Sequence, residues 1–229
     1  MPLNEFGQPI GDALPDWTGR TAPDHGTLTG RYTTLCALDP SMHGDDLFAA
    51  FTDPAMWTYM PVGPFADRTA FDAFLAGIKH STDPLFYAII DPASGRAMGF
   101  ASYLRIEPAV GAIEVGYITM SPALQKTRIA TEAMYLMMAH AFDDLGYRRY
   151  EWKCDNLNGP SKRAAQRFGF TYDGMFPQAT VYKGRNRDTA WFSIVDGDWA
   201  RVKAGFEAWL DPANFDSGAM QKSRLMTQG

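Results

Sequence analysis

Residues 113–170 read IEVGYITMSPALQKTRIATEAMYLMMAHAFDDLGYRRYEWKCDNLNGPSKRAAQRFGF, and the fold turns on how this stretch divides. The run from Ala112 to Met120 is rich in β-branched and apolar residues and reads as a strand. From Gln125 to Leu145 the period changes. Ala130, Ala133, Met134, Met137, Met138, Ala141 and Leu145 recur at i, i+3 and i+4, which gives one buried helix face. Gly146 stands where a C-cap belongs. From Arg149 to Cys154 the period is two, with Tyr150, Trp152 and Cys154 alternating with Glu151 and Lys153. Pro160 to Phe168 returns to a short helix, with Pro in its first turn and Gly169 past its end.

On the N-terminal side, Leu85 to Ile90 and Ala97 to Ile106 precede Ala112 to Met120. The turn signals Asp91-Pro92-Ala93-Ser94-Gly95 and Glu107-Pro108 separate them, so three successive antiparallel strands are predicted. Asp67 to His80 reads as a helix capped by Asp67, with Phe71, Phe74, Leu75 and Ile78 on one face. Gly44 to Phe51 reads as a shorter helix, after a strand from Arg31 to Leu38 that Asp39-Pro40-Ser41 closes. Residues 1–27 show no apolar periodicity and are predicted to form an arm, anchored on the surface through Phe6 and Trp17. On the C-terminal side, Phe170 to Tyr172 and Thr189 to Val195 end the sheet, around a turn over Lys183 to Asp188. Asp198 to Leu210 is a last helix, and the residues beyond it read as a mobile tail. The expected division is an arm over 1–27, one domain over 28–196, and a helix and tail over 197–229.

The chain has 229 residues, enough to bury a sizeable core in one domain with arms. A formal net charge of -5 argues against general nucleic-acid binding, which needs a surplus of Lys and Arg. The two cysteines, Cys36 and Cys154, form neither a disulfide framework nor a zinc-ligand spacing. The four histidines (His25, His43, His80, His140) are scattered, so no metal is expected. The N-terminus lacks the basic and apolar regions of a signal peptide, and no apolar run nears the ~20 residues that span a bilayer. A cytoplasmic protein without membrane contact is expected. Neither GxGxxG nor GxxxxGKS/T occurs, which argues against a nucleotide-binding α/β protein.

Three landmarks stand in order: Gly116-Tyr117-Ile118-Thr119-Met120 ending a strand, the loop Gln125-Lys126-Thr127-Arg128-Ile129-Ala130 opening a long helix, and Asn158-x-x-Ser161 followed by Arg167-Phe168-Gly169-Phe170. In this order and spacing the chain, from about residue 28 to 196, resembles the GNAT superfamily of N-acetyltransferases, and within it the ribosomal-protein N-terminal acetyltransferases. The resemblance implies an α/β (α+β) GNAT fold, a central mixed, mostly antiparallel sheet of about seven strands flanked by helices. It also implies acetyl-CoA as cosubstrate, with acetyl transfer by direct attack of a primary amine, either a small molecule or a protein or peptide N-terminus.

The second landmark has a physical reading of its own. A helix N-terminus leaves N–H groups unpaired at the positive end of its dipole and can hold a pyrophosphate. Lys126 and Arg128 add charge there. The family motif is Gln/Arg-x-x-Gly-x-Gly/Ala, and Arg128 stands at its first Gly, where the backbone approaches the phosphates closely. Either the Arg128 side chain turns outward and clasps a phosphate, which is the expectation, or cofactor binding is weakened. The resemblance further assigns Gln125, Lys126, Thr127, Arg128, Ile129, Ala130 and Thr131 to the phosphates, and Ile118, Thr119, Met120 and Asn158 to the pantetheine arm. Amides near Met120 would polarise the thioester carbonyl.

An amine must lose a proton before it attacks, and the thiolate that leaves needs one. Glu114 is the candidate base, against the plainer reading of a solvent-facing strand residue; Asp155 is a weaker alternative. Ser161 is the candidate proton donor, against a helix first-turn Ser that bonds only backbone. Tyr172 and Tyr182 could donate instead, although nothing local selects them. Cys154 alternates with core residues and reads as packing. Trp57, Tyr59, Met60 and Phe65 read either as an apolar wall of the acceptor pocket or as ordinary core. Arg105 and Arg149 are available to a succinyl or other acyl donor. A catalytically degenerate domain that senses acyl-CoA is the competing function, permitted by Arg128. The arms are long enough to wrap a second copy, so a homodimer is an expectation.

Overall fold

The computed structural model describes residues 1–227, so the end of the expected C-terminal tail, residues 228 and 229, lies outside the described residues. The elements are β1 (Leu28–Thr29), β2 (Thr34–Ala37), α1 (Pro40–Ala50), α2 (Arg68–Ile78), β3 (Leu85–Asp91), β4 (Arg96–Glu107), β5 (Ala112–Met120), α3 (Arg128–Ala139), β6 (Arg149–Asp155), α4 (Gly159–Arg167), β7 (Thr171–Tyr182), β8 (Arg185–Val195) and α5 (Asp196–Leu210). The strands form one sheet in the order β1-β2-β3-β4-β5-β6-β8-β7. Only the β5–β6 pair is parallel, with α3 as its crossover. Eight strands replace the expected seven, in the expected mixed and mostly antiparallel arrangement.

Both faces of the central strands are covered. On β3, Tyr87 and Ile89 point into the main core, which packs Ala133, Met134, Met137 and Met138 of α3 and Val202 and Phe206 of α5. Phe86, one residue out of phase, enters a second core with Leu47, Trp57, Phe71, Leu75 and Phe100. No helix among the described residues is long and apolar enough to cross a membrane, and no group of three or more His, Cys, Asp or Glu could hold a metal.

Several boundaries differ from the sequence reading for identifiable reasons. α1 begins at Pro40 rather than Gly44, because the Asp39 carboxylate accepts from the Ser41 N–H at 2.8 Å and Pro40 suits the first helical turn. α3 begins at Arg128 rather than Gln125. Lys126 holds a left-handed φ of 63°, and the Thr127 hydroxyl caps the helix by accepting from Ala130 N–H at 3.1 Å. β7 and β8 form one long hairpin where only residues 170–172 and 189–195 were predicted. β7 is an edge strand, mostly exposed, and Pro177 with an irregular register between Phe176 and Thr180 breaks its alternation.

The arms are attached. Trp17 donates from Nε1 to Ala109 O at 2.8 Å and lies beneath the guanidinium of Arg20, 4.2 Å from its ring centroid. Phe6, the other expected anchor, is exposed. The tail expected to be mobile instead folds back on the domain. Phe215 is buried edge-on to Trp209, Trp209 Nε1 donates to Gln221 Oε1 at 2.8 Å, and the buried Thr227 donates its hydroxyl to Arg167 O at 2.9 Å.

Candidate functional site

The parallel ladder between β5 and β6 runs from Ala112↔Arg149 to Val115↔Trp152 and stops there. Beyond it β5 stays paired to β4, through Phe100↔Thr119 and Gly99↔Met120, while β6 stays paired to β8 as far as Asp155↔Thr189. The two strands therefore part, and the side of Gly116–Met120 that faces β6 has no ladder partner. Tyr117 at φ 49° and a register shift between Phe100 and Ser102 mark where β5 bends. A cavity of about 1760 Å³ opens in this gap, lined by Ile118, Thr119 and Met120 on one wall and by Lys153, Asp155 and Ser161 on the other.

At one end of the cavity lies the start of α3. The amides of Arg128 and Ile129, in its first turn, have no acceptor inside the helix. Gln125, Lys126, Thr127, Arg128, Ile129, Ala130 and Thr131 all line the cavity, although Ala130 and Thr131 are themselves buried. Gln125 is turned back, donating from Nε2 to Met120 O at 3.1 Å. Arg128 is helical, so its Cβ meets no conformational penalty at the motif's first Gly. Its guanidinium lies over the rings of Tyr32 (4.6 Å) and Phe215 (4.7 Å), at the mouth of the cavity and without a carboxylate partner among the described residues. Arg167 is a cation the sequence reading quoted in a motif but gave no role. It donates to Thr131 Oγ1 at 3.3 Å, stacks near Trp209, and lines the same end; burial pushes its pKa down.

Glu114 is not solvent-facing. It is 3% exposed, and its Oε2 accepts from Arg105 Nη1 at 2.6 Å and from Lys153 Nζ at 2.9 Å. Oε1 carries no hydrogen bond among the described residues. It lies toward Gly116, 3.6 Å from where a Cβ on that residue would sit. Burial raises the Glu114 pKa, and the charges of Lys153 and Arg105 offset part of the rise. Lys153, 7% exposed at its side chain, also binds Glu151 at 2.7 Å and sits 3.8 Å from the centroid of the Trp191 ring. Arg149 lies beyond this cluster, bound to Glu151 and Asp173, and does not line the cavity.

Asn158 caps α4, its Oδ1 accepting from Ser161 N–H at 3.1 Å. Ser161 Oγ accepts from Trp152 Nε1 at 2.9 Å and is also a hydrogen-bond neighbour of the Cys154 thiol. Tyr182 also reaches the cavity, but its hydroxyl donates to the buried Asp155 at 2.8 Å; burial and that bond push its pKa up to about 12. Tyr172 points elsewhere. Cys154 is buried in the main core. Of the aromatic segment, Tyr59 and Met60 line the cavity, whereas Trp57 and Phe65 belong to the second core.

A model of the acetyltransferase (GNAT) domain matches residues 34–171. The chain belongs to the GNAT acetyltransferase family. Among solved structures, a GCN5-related N-acetyltransferase from Brucella melitensis is 48% identical, with a TM-score of 0.91 over 93% of this chain and 97% of that one. A probable acetyltransferase of the GNAT family from Chromobacterium violaceum is 42% identical, with a TM-score of 0.79 over 84% of this chain and 98% of its own. The uncharacterized N-acetyltransferase p20 of Bacillus licheniformis is 24% identical over 68% of this chain and 89% of its own length. The eight-stranded sheet and its parted strands are thus the GNAT fold, and the family supplies the reaction class, acetyl transfer.

Proposed function

We propose that this chain moves an acetyl group from acetyl-CoA to a primary amine, with Glu114 as base and Ser161 as proton donor. The observation that carries the reading is the parting of β5 and β6 beside the open N-terminus of α3. One cavity thereby holds a free strand edge, a cationic end at a helix N-terminus and a buried carboxylate. The residues fit the cosubstrate. Arg128 and Ile129 amides, Lys126, Arg128 and Arg167 would hold its phosphates, and the free edge of Ile118–Met120 its pantetheine arm. Acetyl-CoA supplies an activated acyl group as a thioester.

The chain's own residues position the amine and handle protons. Glu114 Oε1 takes a proton from the amine, directly or through water, and the buried cation pair on Oε2 fixes the carboxylate's orientation. Amides near Met120 polarise the carbonyl. Ser161 hydroxyl, held by the Trp152 indole, returns a proton to the departing sulfur. Ser161→Ala is expected to lower kcat about tenfold or more, and Tyr182→Phe to lower it less, because the Tyr182 proton is committed to Asp155. A larger loss in Tyr182→Phe by steady-state kinetics exchanges the two roles.

Arg128→Glu should weaken acetyl-CoA binding by about tenfold to a hundredfold, because a charge-assisted contact is replaced by repulsion. Lys203→Glu, the same reversal of a cation beside Asp143 at a residue that does not line the cavity, is the control. Equal dissociation constants by calorimetry for the two variants would remove Arg128 from the phosphate site. The function as a whole is tested by incubating purified protein and acetyl-CoA with a panel of amines, following thiol release and product mass. Tight acetyl-CoA binding with no product from any amine would favour the sensor reading.

A further inference from the structure

We infer that the acceptor is a small amino acid whose carboxylate is held by Arg187, rather than a simple amine. The inference rests on the acyl-transfer reading of the cavity. Side chains two apart on a strand share a face, so Arg187, Thr189 and Trp191 of β8 look the same way, and all three line the cavity. The other cations on this sheet face are answered inside the chain. Arg105 binds Glu114, Lys153 binds Glu114 and Glu151, and Arg149 binds Glu151 and Asp173. Arg187 meets only the face of Tyr182, whose ring centroid lies 5.9 Å from its guanidinium carbon. No carboxylate among the described residues is within ion-pair reach of it, and its Nε is buried with no acceptor. The indole Nε1 of Trp191 is a second buried donor without a partner on the same wall. Both atoms sit inside the wall rather than on it, but the outer guanidinium nitrogens of Arg187 also carry no hydrogen bond among the described residues, which leaves this lining side chain able to take acceptor oxygens from outside the chain.

Asp155 supplies the complementary half. Its carboxylate is buried, accepts from Tyr182 Oη and Leu157 N–H, and has no cation partner among the described residues. It pairs in register with Thr189, two residues along β8 from Arg187. An unpaired carboxylate near the unpaired Arg187 disfavours a purely anionic ligand and suits one with no net charge, an amino acid that carries an ammonium as well as a carboxylate. A dianion such as a phosphate monoester suits the cavity less, because Glu114, Glu151 and Asp155 share that sheet face. The acceptor end is also narrowed. Lys183 Nζ donates to Trp57 O at 2.7 Å and Tyr59 Oη to Leu157 O at 3.2 Å, tying the segment around Trp57 across the β7–β8 turn and the β6–α4 loop.

The test compares amino acids with their own carboxamides as acceptors at saturating acetyl-CoA. The amides have the more easily deprotonated amine, so intrinsic reactivity favours them. The wild type is expected to prefer the acids by about tenfold or more in kcat/KM, the scale of one charge-assisted contact. Arg187→Gln should collapse that ratio, mainly through KM, and Arg187→Lys should keep part of it. Arg185→Gln, exposed on the same turn, should leave the ratio alone. Amides used as well as acids, or a peptide used better than its free N-terminal amino acid, overturns the inference while upholding amine acetylation. Equal losses on acids and amides in Arg187→Gln overturn it too. If no amine is acetylated, the acyl-transfer reading fails. Calorimetric titration of the same pairs then still decides: carboxylate-dependent binding lost in Arg187→Gln upholds the site, and its absence overturns it.

Discussion

Glu114→Gln should lower kcat by about 10²- to 10⁴-fold, the usual contribution of a positioned general base, while the KM for acetyl-CoA stays close to that of the wild type. The expectation follows from how the carboxylate is divided. Oε2 is committed to Arg105 and Lys153, Oε1 lies beside Gly116 with no hydrogen bond among the described residues, and Glu114 lines the cavity. Glutamine fills the same space and can still bond one cation, so a change in folding would not account for the loss. The pH dependence gives an independent check, and its sign can be worked out. The base acts only when deprotonated, so kcat/KM rises with pH through the Glu114 pKa and then levels. Burial places that pKa above the ordinary carboxylate value, because the charged form is the one penalised. Arg105→Gln removes one of the two cations that hold it down, so the rising limb should move to higher pH. In Glu114→Gln the limb should vanish, leaving only the rise set by the acceptor amine itself. A variant with wild-type kcat and an unmoved limb would transfer the role of base to another group, with Asp155 next to be tested.

Much of this was legible in the sequence, for a physical reason. The α3 face from Ala130 to Met138 and the period of two in β6 are signals repeated over many residues, and burial confirms them one by one. Glu114 and Ser161 are singled out by the resemblance, through the strand ending in Gly116–Met120 and the Asn158-x-x-Ser161 landmark. Their partners could not be. Arg105 lies nine residues from Glu114 and Lys153 thirty-nine, and only the sheet order brings all three together. The same holds for Arg128. Its chain position predicted a phosphate clamp, but Tyr32 and Phe215, over which its guanidinium lies, come from opposite ends of the chain. β7 was nearly invisible, since an exposed edge strand buries no stripe that alternation could reveal. The tail was misread because its anchor is one aromatic residue, Phe215, and one buried hydroxyl, Thr227, and single residues leave no period.

Glu132→Ala is expected to be the most destabilising of these substitutions, by about 3–4 kcal/mol. Glu132 lies on α3, 5% exposed, and no Lys or Arg side chain among the described residues pairs with it; its carboxylate instead accepts backbone N–H groups from Arg31 at 2.9 Å, Tyr32 at 2.5 Å and Thr33 at 2.7 Å. Bonds to a charged acceptor are worth about 1.5–3 kcal/mol each, but the three will not add. Arg31 and Tyr32 are partly accessible, so their freed amides can turn to water. Thr33 is fully buried and its amide cannot, so most of the cost falls there. Gln at this position keeps one acceptor oxygen but turns an NH₂ toward backbone donors, so it should recover less than half of the loss. Urea unfolding checks this through a lower midpoint at an unchanged slope. The effect reaches the site as well. The segment that Glu132 anchors carries Tyr32, whose ring underlies the Arg128 guanidinium, so acetyl-CoA affinity should fall in Glu132→Ala even under conditions where the variant remains folded. A midpoint within about 1 kcal/mol of wild type would mean that the 31–33 turn is held by its strand pairing rather than by this carboxylate.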